Sequence, residues 1–164
     1  MAAPLILAQF TPPKGLAGIK KTYGDFKYTE LAKAEVKIEG TWEHDNLVVL
    51  RNVCKTGLAI QLHKLVAPIF EVCLADAIKR VPQYKIRMLG GHSARHMMHD
   101  TKRPLSTHSW GCAFDVNWDT NPVASTLITD LPMDWLAAFI EQGWNWGGSW
   151  QGQKDAMHLQ YATP

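Results

Sequence analysis

The chain has 164 residues, 46% hydrophobic and 20% charged, with a formal charge of only +2. These values exclude intrinsic disorder and give no electrostatic case for nucleic-acid binding, although the balance would not oppose an anionic surface. A chain of this length buries roughly 70% of the surface its unfolded form exposes, so a single domain over 1–164 with one core is expected.

In chain order, the opening MAAPLILAQF has a short apolar run interrupted by Pro4, with no basic stretch before it, which is not the pattern of a secretory signal. Thr11 to Gly15 reads as a turn that starts a helix over Leu16–Tyr23, stopped at Gly24. Val36–Glu39 and Leu47–Leu50 read as short strands around the polar stretch Glu43–Asn46. From Leu58 to Arg80, the spacing of Leu62, Val66, Ile69, Cys73 and Ala77 predicts a long helix with one apolar stripe, kinked or divided at Pro68. Ile86–Leu89 reads as a strand ending at Gly90-Gly91, and 92–107 as an irregular, polar, solvated loop. Cys112–Asn117 alternates, with Cys112, Phe114 and Val116 towards the core and Ala113, Asp115 and Asn117 opposite. A second helix runs over Pro132–Gln142 with Gly143 at its end, and Ala156–Tyr161 alternates with Met157 and Leu159 inward. Helices among short strands give an α+β class with a small antiparallel sheet and flanking helices. No run of 18 apolar residues exists, so no membrane-spanning helix is expected.

The three cysteines, Cys54, Cys73 and Cys112, are widely spaced without a Cys-x-x-Cys pair. They read as free thiols in a reducing compartment rather than as a zinc ribbon or redox motif. Polar residues on otherwise core-forming strands say more. Asp115 sits between Phe114 and Val116, and His158 between Met157 and Leu159, where a carboxylate is costly to desolvate without cationic compensation. His108 precedes Asp115 by seven residues, and Gly111 allows a sharp turn back over that strand. Two imidazoles and a carboxylate form a donor set typical of catalytic zinc, which keeps its fourth position open. Spacing alone does not separate His108 from a hydrogen-bonded histidine, and His92, His96 and His99 compete for the role. His44, among charges, reads as exposed, and His63 as an ordinary residue flanking the helix stripe.

Ser106-x-His108-x-x-Gly111-x-Ala113-x-Asp115-x-Asn117, followed by Asp155-x-x-His158, resembles the signature of the VanY-type zinc D,D-carboxypeptidases and their relatives, the L-alanyl-D-glutamate endopeptidases of bacteriophages. The segment Gly143-Trp144-Asn145-Trp146-Gly147-Gly148-Ser149-Trp150 is similar to a Gly-aromatic-x-Trp-Gly-Gly-x-Trp piece of the phage branch. The resemblance covers roughly 85–161 and implies one zinc per chain held by His108, Asp115 and His158, with Asp155 as general base and Arg95 as substrate-binding arginine. Aspartate at 155, where the carboxypeptidase branch usually has glutamate, points to the endopeptidase branch. Leu159 stands where an aromatic residue often follows the last histidine, a change of packing only.

The expected chemistry is hydrolysis of a peptide bond in the peptidoglycan stem, with Asp155 moving the proton and Arg95 binding a carboxylate or the oxyanion. A surface ion pair with Asp100 is the plainer reading of Arg95. Ser106 supports the site through a hydrogen bond or meets substrate, Trp144 reads as core, and Trp146 or Trp150 as cleft lining. The implied protein is a monomeric, endolysin-like enzyme made in the host cytoplasm without a signal peptide, which acts on the wall after release. The alternatives are a D-alanyl-D-alanine carboxypeptidase or dipeptidase, or a non-catalytic zinc-stabilised binding module resembling the hedgehog domains; Asp155 argues against the last.

Overall fold

The computed structural model describes residues 11–163, and the apolar run at 1–10 lies outside them. Its helices are α1 (Gly15–Tyr23), α2 (Trp42–Asn46), α3 (Ala67–Arg80) and α4 (Met133–Ile140). The first six strands are β1 (Tyr28–Glu30), β2 (Val36–Ile38), β3 (Leu47–Leu50), β4 (Ile60–His63), β5 (Leu89–Gly90) and β6 (Ala113–Val116). The remainder are β7 (Val123–Ala124), β8 (Asn145–Trp146), β9 (Lys154–Asp155) and β10 (His158–Gln160). One antiparallel sheet has the order β5-β6-β10-β8, and β1–β2, β3–β4 and β7–β9 are antiparallel pairs. The fold is therefore α+β. Among the described residues no helix is long and apolar enough to cross a membrane.

The core lies where the inner face of β6 and β10 meets α3 and α4. Ile69, Phe70, Cys73, Leu74 and Ala77 form the buried stripe of α3, and Trp135, Leu136 and Phe139 that of α4. Phe114 meets Phe70 edge-on at 4.8 Å, Phe139 at 5.1 Å and Trp144 at 5.2 Å, so Trp144 is core as expected. Cys54, Cys73 and Cys112 are all free thiols.

The long helix expected over Leu58–Arg80 begins only at Ala67. Residues Ile60–His63 pair with Leu47–Leu50, which places Leu62 on a strand. Pro68 interrupts nothing, because it sits in the first turn of α3, where backbone N–H groups have no intrahelical acceptor. His63 is correspondingly no flank residue. It is 1% exposed, donates from Nε2 to the Tyr23 carbonyl at 3.1 Å and accepts from Leu65 N at Nδ1; burial holds its pKa near about 4. The strand expected over Ile86–Leu89 is Leu89–Gly90 alone. The Asn117 side chain holds its approach instead: Oδ1 accepts from Arg87 N (2.8 Å) and Met88 N (3.1 Å), and Nδ2 donates to Lys85 O (2.8 Å). Asn117 thus belongs to the core rather than to an open face, and Ala113 opposite Phe114 is equally buried. Met157 is half-buried and lines both clefts rather than packing inward.

Segment 92–107 is largely irregular, as expected, but not solvated throughout. The His92 side chain is 9% exposed, lies 3.5 Å from Glu43, and is held by burial at a pKa of about 4. His96 is buried between two acceptors, Glu30 Oε1 (2.9 Å) and Arg103 O (2.5 Å), and this clasp fastens the segment to β1. His44 is exposed, as read.

Two outcomes follow from these packing features. Gly111 has φ +63°, and a Cβ there would lie 2.7 Å from His63 N, so Gly111→Ala should cost about 2 kcal/mol or more, read as a lower urea midpoint. For His96, burial disfavours the imidazolium, but the Arg103 carbonyl and Glu30 carboxylate outweigh it and raise the pKa above the ordinary value. The clasp therefore contributes fully below the unfolded value of about 6.5 and is lost as pH rises through the raised folded value. Glu30→Gln should destabilise more at about pH 6 than at about pH 9, and an equal cost at both would contradict this.

Candidate metal centre

Three side chains distant in sequence are brought together by one turn and one strand register. The Ser106 hydroxyl accepts from His108 N at 3.4 Å and opens a 3₁₀ turn over Thr107–Trp110. Gly111, left-handed, ends the turn and returns the chain onto β6. In the β6–β10 pairing Asp115 stands directly opposite His158, so residues 43 apart become cross-strand neighbours. His108 Nε2 lies 3.2 Å from Asp115 Oδ1, His158 Nδ1 lies 3.1 Å from the same oxygen, and the two nitrogens are 3.1 Å apart.

The outward ring nitrogens fix the proton positions. His108 Nδ1 is 2.7 Å from the Gly91 carbonyl, which can only accept, so Nδ1 carries the proton. His158 Nε2 is 3.0 Å from Gln160 Oε1, and Gln160 Nε2 donates to Ala162 O at 3.3 Å, which orients the amide with its oxygen towards the ring. In the neutral tautomers both inward nitrogens then present lone pairs, and they share one point with a carboxylate oxygen. Three acceptors without a proton among them repel one another unless a cation lies between or a ring is protonated. With zinc–donor distances of 2.0–2.1 Å, the edge of a tetrahedral donor set is about 3.3–3.4 Å, close to the spacing observed. The donor set therefore fits a divalent metal. It is one group of at least three His, Cys, Asp or Glu with that geometry among the described residues.

In the protein alone, burial raises the Asp115 carboxyl, but His108 and His158 outweigh it and hold it well below the usual carboxylate range. Burial lowers His158, and its bonds to Asp115 reverse this and raise it. Gln160 and Thr107, whose hydroxyl donates to Gln160 Oε1 at 3.1 Å, were not singled out in the sequence. The available signal was position: Gln160 lies two residues after His158 and so shares its strand face.

Asp155, on β9, lines the same cleft as the triad, and its Oδ1 is buried without a hydrogen-bond partner among the described residues. Burial raises its pKa above the ordinary carboxylate value; His158, His108 and Arg95 oppose the rise, and Asp115 adds to it. The paired glycines have a steric reason. A Cβ on Gly147 would lie 2.4 Å from the Asp155 carbonyl, and one on Gly148 would lie 2.2 Å from the Trp146 ring. Trp146 is 5% exposed and donates to Ala156 O at 2.8 Å, so it packs beneath the site rather than lining it. Trp150 is the tryptophan of that segment on the cleft wall, with its ring 5.4 Å from that of His158. Arg95 reaches both clefts at the centre, and the Ser109 hydroxyl holds its backbone N and O, each at 3.1 Å. Asp100 pairs with Arg103 at 3.8 Å and not with Arg95. Ser106 lines the cleft as well as capping the turn.

Residues 99–161 match a family model described as D-alanyl-D-alanine carboxypeptidase. No curated protein and no solved structure matches the chain. The matched stretch contains His108, Asp115, Asp155 and His158 and stops short of Arg95. Over that stretch the chain is similar to a family of peptidases.

Proposed function

We propose that the chain is a zinc-dependent peptidase of bacterial peptidoglycan that cuts between L-alanine and D-glutamate of the stem, as a monomeric phage-type endolysin acting on the wall after release. The observation that carries this reading is the convergence of His108 Nε2, His158 Nδ1 and Asp115 Oδ1 on the floor of a cleft beside the buried carboxylate of Asp155. A divalent metal held by these three supplies Lewis acidity, polarising a carbonyl and acidifying a water.

The chain's own residues do the rest. Asp155, raised by burial and without a partner at Oδ1, is placed to take a proton from water and pass it to the leaving amine. Arg95 offers its planar fork to a substrate carboxylate or to the developing oxyanion. Gln160 and the Gly91 carbonyl keep both imidazoles in the ligating tautomer, and the Ser106 cap holds the turn that carries His108.

A D-alanyl-D-alanine carboxypeptidase is the second reading, favoured by the description of the matched family. The clefts on both sides of the centre favour the endopeptidase, since those of about 550 and 490 Å³ both reach His108 and Asp115 and leave room for chain on either side of the cut bond.

Digestion of purified peptidoglycan, read by mass spectrometry, should yield new amino termini on D-glutamate. Activity should vanish with a chelator and return with zinc. Release of D-alanine would establish the carboxypeptidase instead, and absence of chelator-sensitive cleavage would refute both. Asp155→Ala should retain the metal yet lose about 10²–10⁴-fold in turnover. Gln160→Ala should weaken metal affinity by about 10–100-fold in a competition titration, as expected for loss of a tautomer-fixing partner.

A further inference from the structure

The centre lies on a floor shared by two clefts of different chemistry. Arg95, His108, Asp115, Val123 and Met157 line both. The cleft that holds Asp155 adds the guanidinium of Arg103 and the imidazole of His99, which suit the carboxylate-bearing residues on the amine side of the cut bond. The opposite cleft has no cationic arginine or lysine beyond Arg95, and its far wall is Gly90, Gly91, Trp118 and Pro122.

Trp118 is anomalous among the tryptophans. Trp42, Trp110, Trp135, Trp144 and Trp146 are buried and Trp150 is half-buried, whereas Trp118 is 43% exposed. A large aromatic surface left in water inside a cleft forgoes the burial that holds the others in place. The exposure follows from local geometry. Asn117, with φ +42°, turns the chain at the end of β6, and the indole comes to rest beside the bare backbone of Gly90. A Cβ on Gly90 would lie 3.6 Å from Trp118 Cζ3. Gly90 is paired with Asp115 across β5–β6, so the ring rests against the strand next to the one that carries a metal-ligand candidate.

We infer that Trp118 is a saccharide-stacking platform, and that the cleft walled by Gly90, Gly91 and Trp118 takes the amino sugar to which the stem peptide is joined. The inference rests on the endopeptidase reading above. In that substrate the L-alanine amino group is linked to the lactyl ether of the sugar, so a pyranose ring lies one residue from the scissile carbonyl on the acyl side. The cationic cleft serves the amine side, which leaves the Trp118 cleft for the sugar. A flat apolar ring face in a cleft that also holds the polar Ser93 and Arg95 matches a pyranose, whose C–H face is apolar and whose hydroxyls point outward.

The test uses two substrates with the same stem peptide, one carrying its disaccharide and one freed of it. Trp118→Ala should raise KM for the sugar-linked substrate about tenfold, the scale of a lost tryptophan contact, with kcat and the free peptide unaffected. Trp118→Phe should recover part of the loss. An equal loss on both substrates, or none on either, overturns the inference while leaving the peptidase reading intact. If the unmodified protein cuts neither, the peptidase reading fails. Fluorescence titration with the disaccharide then decides the platform: binding abolished in Trp118→Ala upholds it, and absence of binding overturns it.

Discussion

Lone pairs that face one another across 3.1–3.2 Å govern the arrangement around them. Such a cluster persists only if the backbone behind it is held more firmly than the repulsion pushes. Here the backbone is the β6–β10 ladder, in which Phe114 pairs with Leu159 one position from Asp115 and His158. The period of two sends the hydrophobic pair into the aromatic core and the polar pair to the cleft. A slip of one residue would turn the polar pair inward, so the energy of the core specifies the register that assembles the donors.

The third donor comes from a different kind of element. His108 is on a 3₁₀ turn, and its position depends on tight backbone contacts rather than on a ladder. The Gly111 carbonyl accepts from His63 N at 2.9 Å, and Gly91 passes so close to Gln61 that a Cβ would lie 2.2 Å from the Gln61 carbonyl. The β3–β4 hairpin, remote in sequence from the motif, is therefore the abutment for both the turn and the carbonyl that sets the His108 tautomer.

This division accounts for what the sequence shows and what it hides. Asp115 and His158 were visible because a charged and an ionisable residue interrupt alternating strands, and His108 because Gly111 permits the return turn. Helix α1 had a clear end at Gly24, and Gly143, with φ +94°, closes the turn that follows α4. The hairpin was hidden because Leu62 falls by coincidence in helical spacing with Val66, and only pairing with Val48 reveals it as strand. Strand β1 is exposed at all three positions and carries no hydrophobic period to read. The burial of His63, His92 and His96 was equally illegible, since each depends on a partner 40 to 66 residues away, Tyr23, Glu43 and Glu30 respectively. The role of Trp146 was misplaced for a related reason: the two glycines after it let the chain fold over its ring, which local sequence does not distinguish from an open cleft.

Asp155 and the three donors stand on different sheets. The donors belong to the four-stranded sheet and its flanking turn, whereas Asp155 is on the two-residue strand β9, paired with β7 and backed by Gly147. The unit that could grip an ion and the carboxylate proposed to move a proton are thus mechanically separable. In a lineage built on this architecture, drift at a single carboxylate could silence hydrolysis and leave the ion-holding surface whole, ready to be kept for recognition alone.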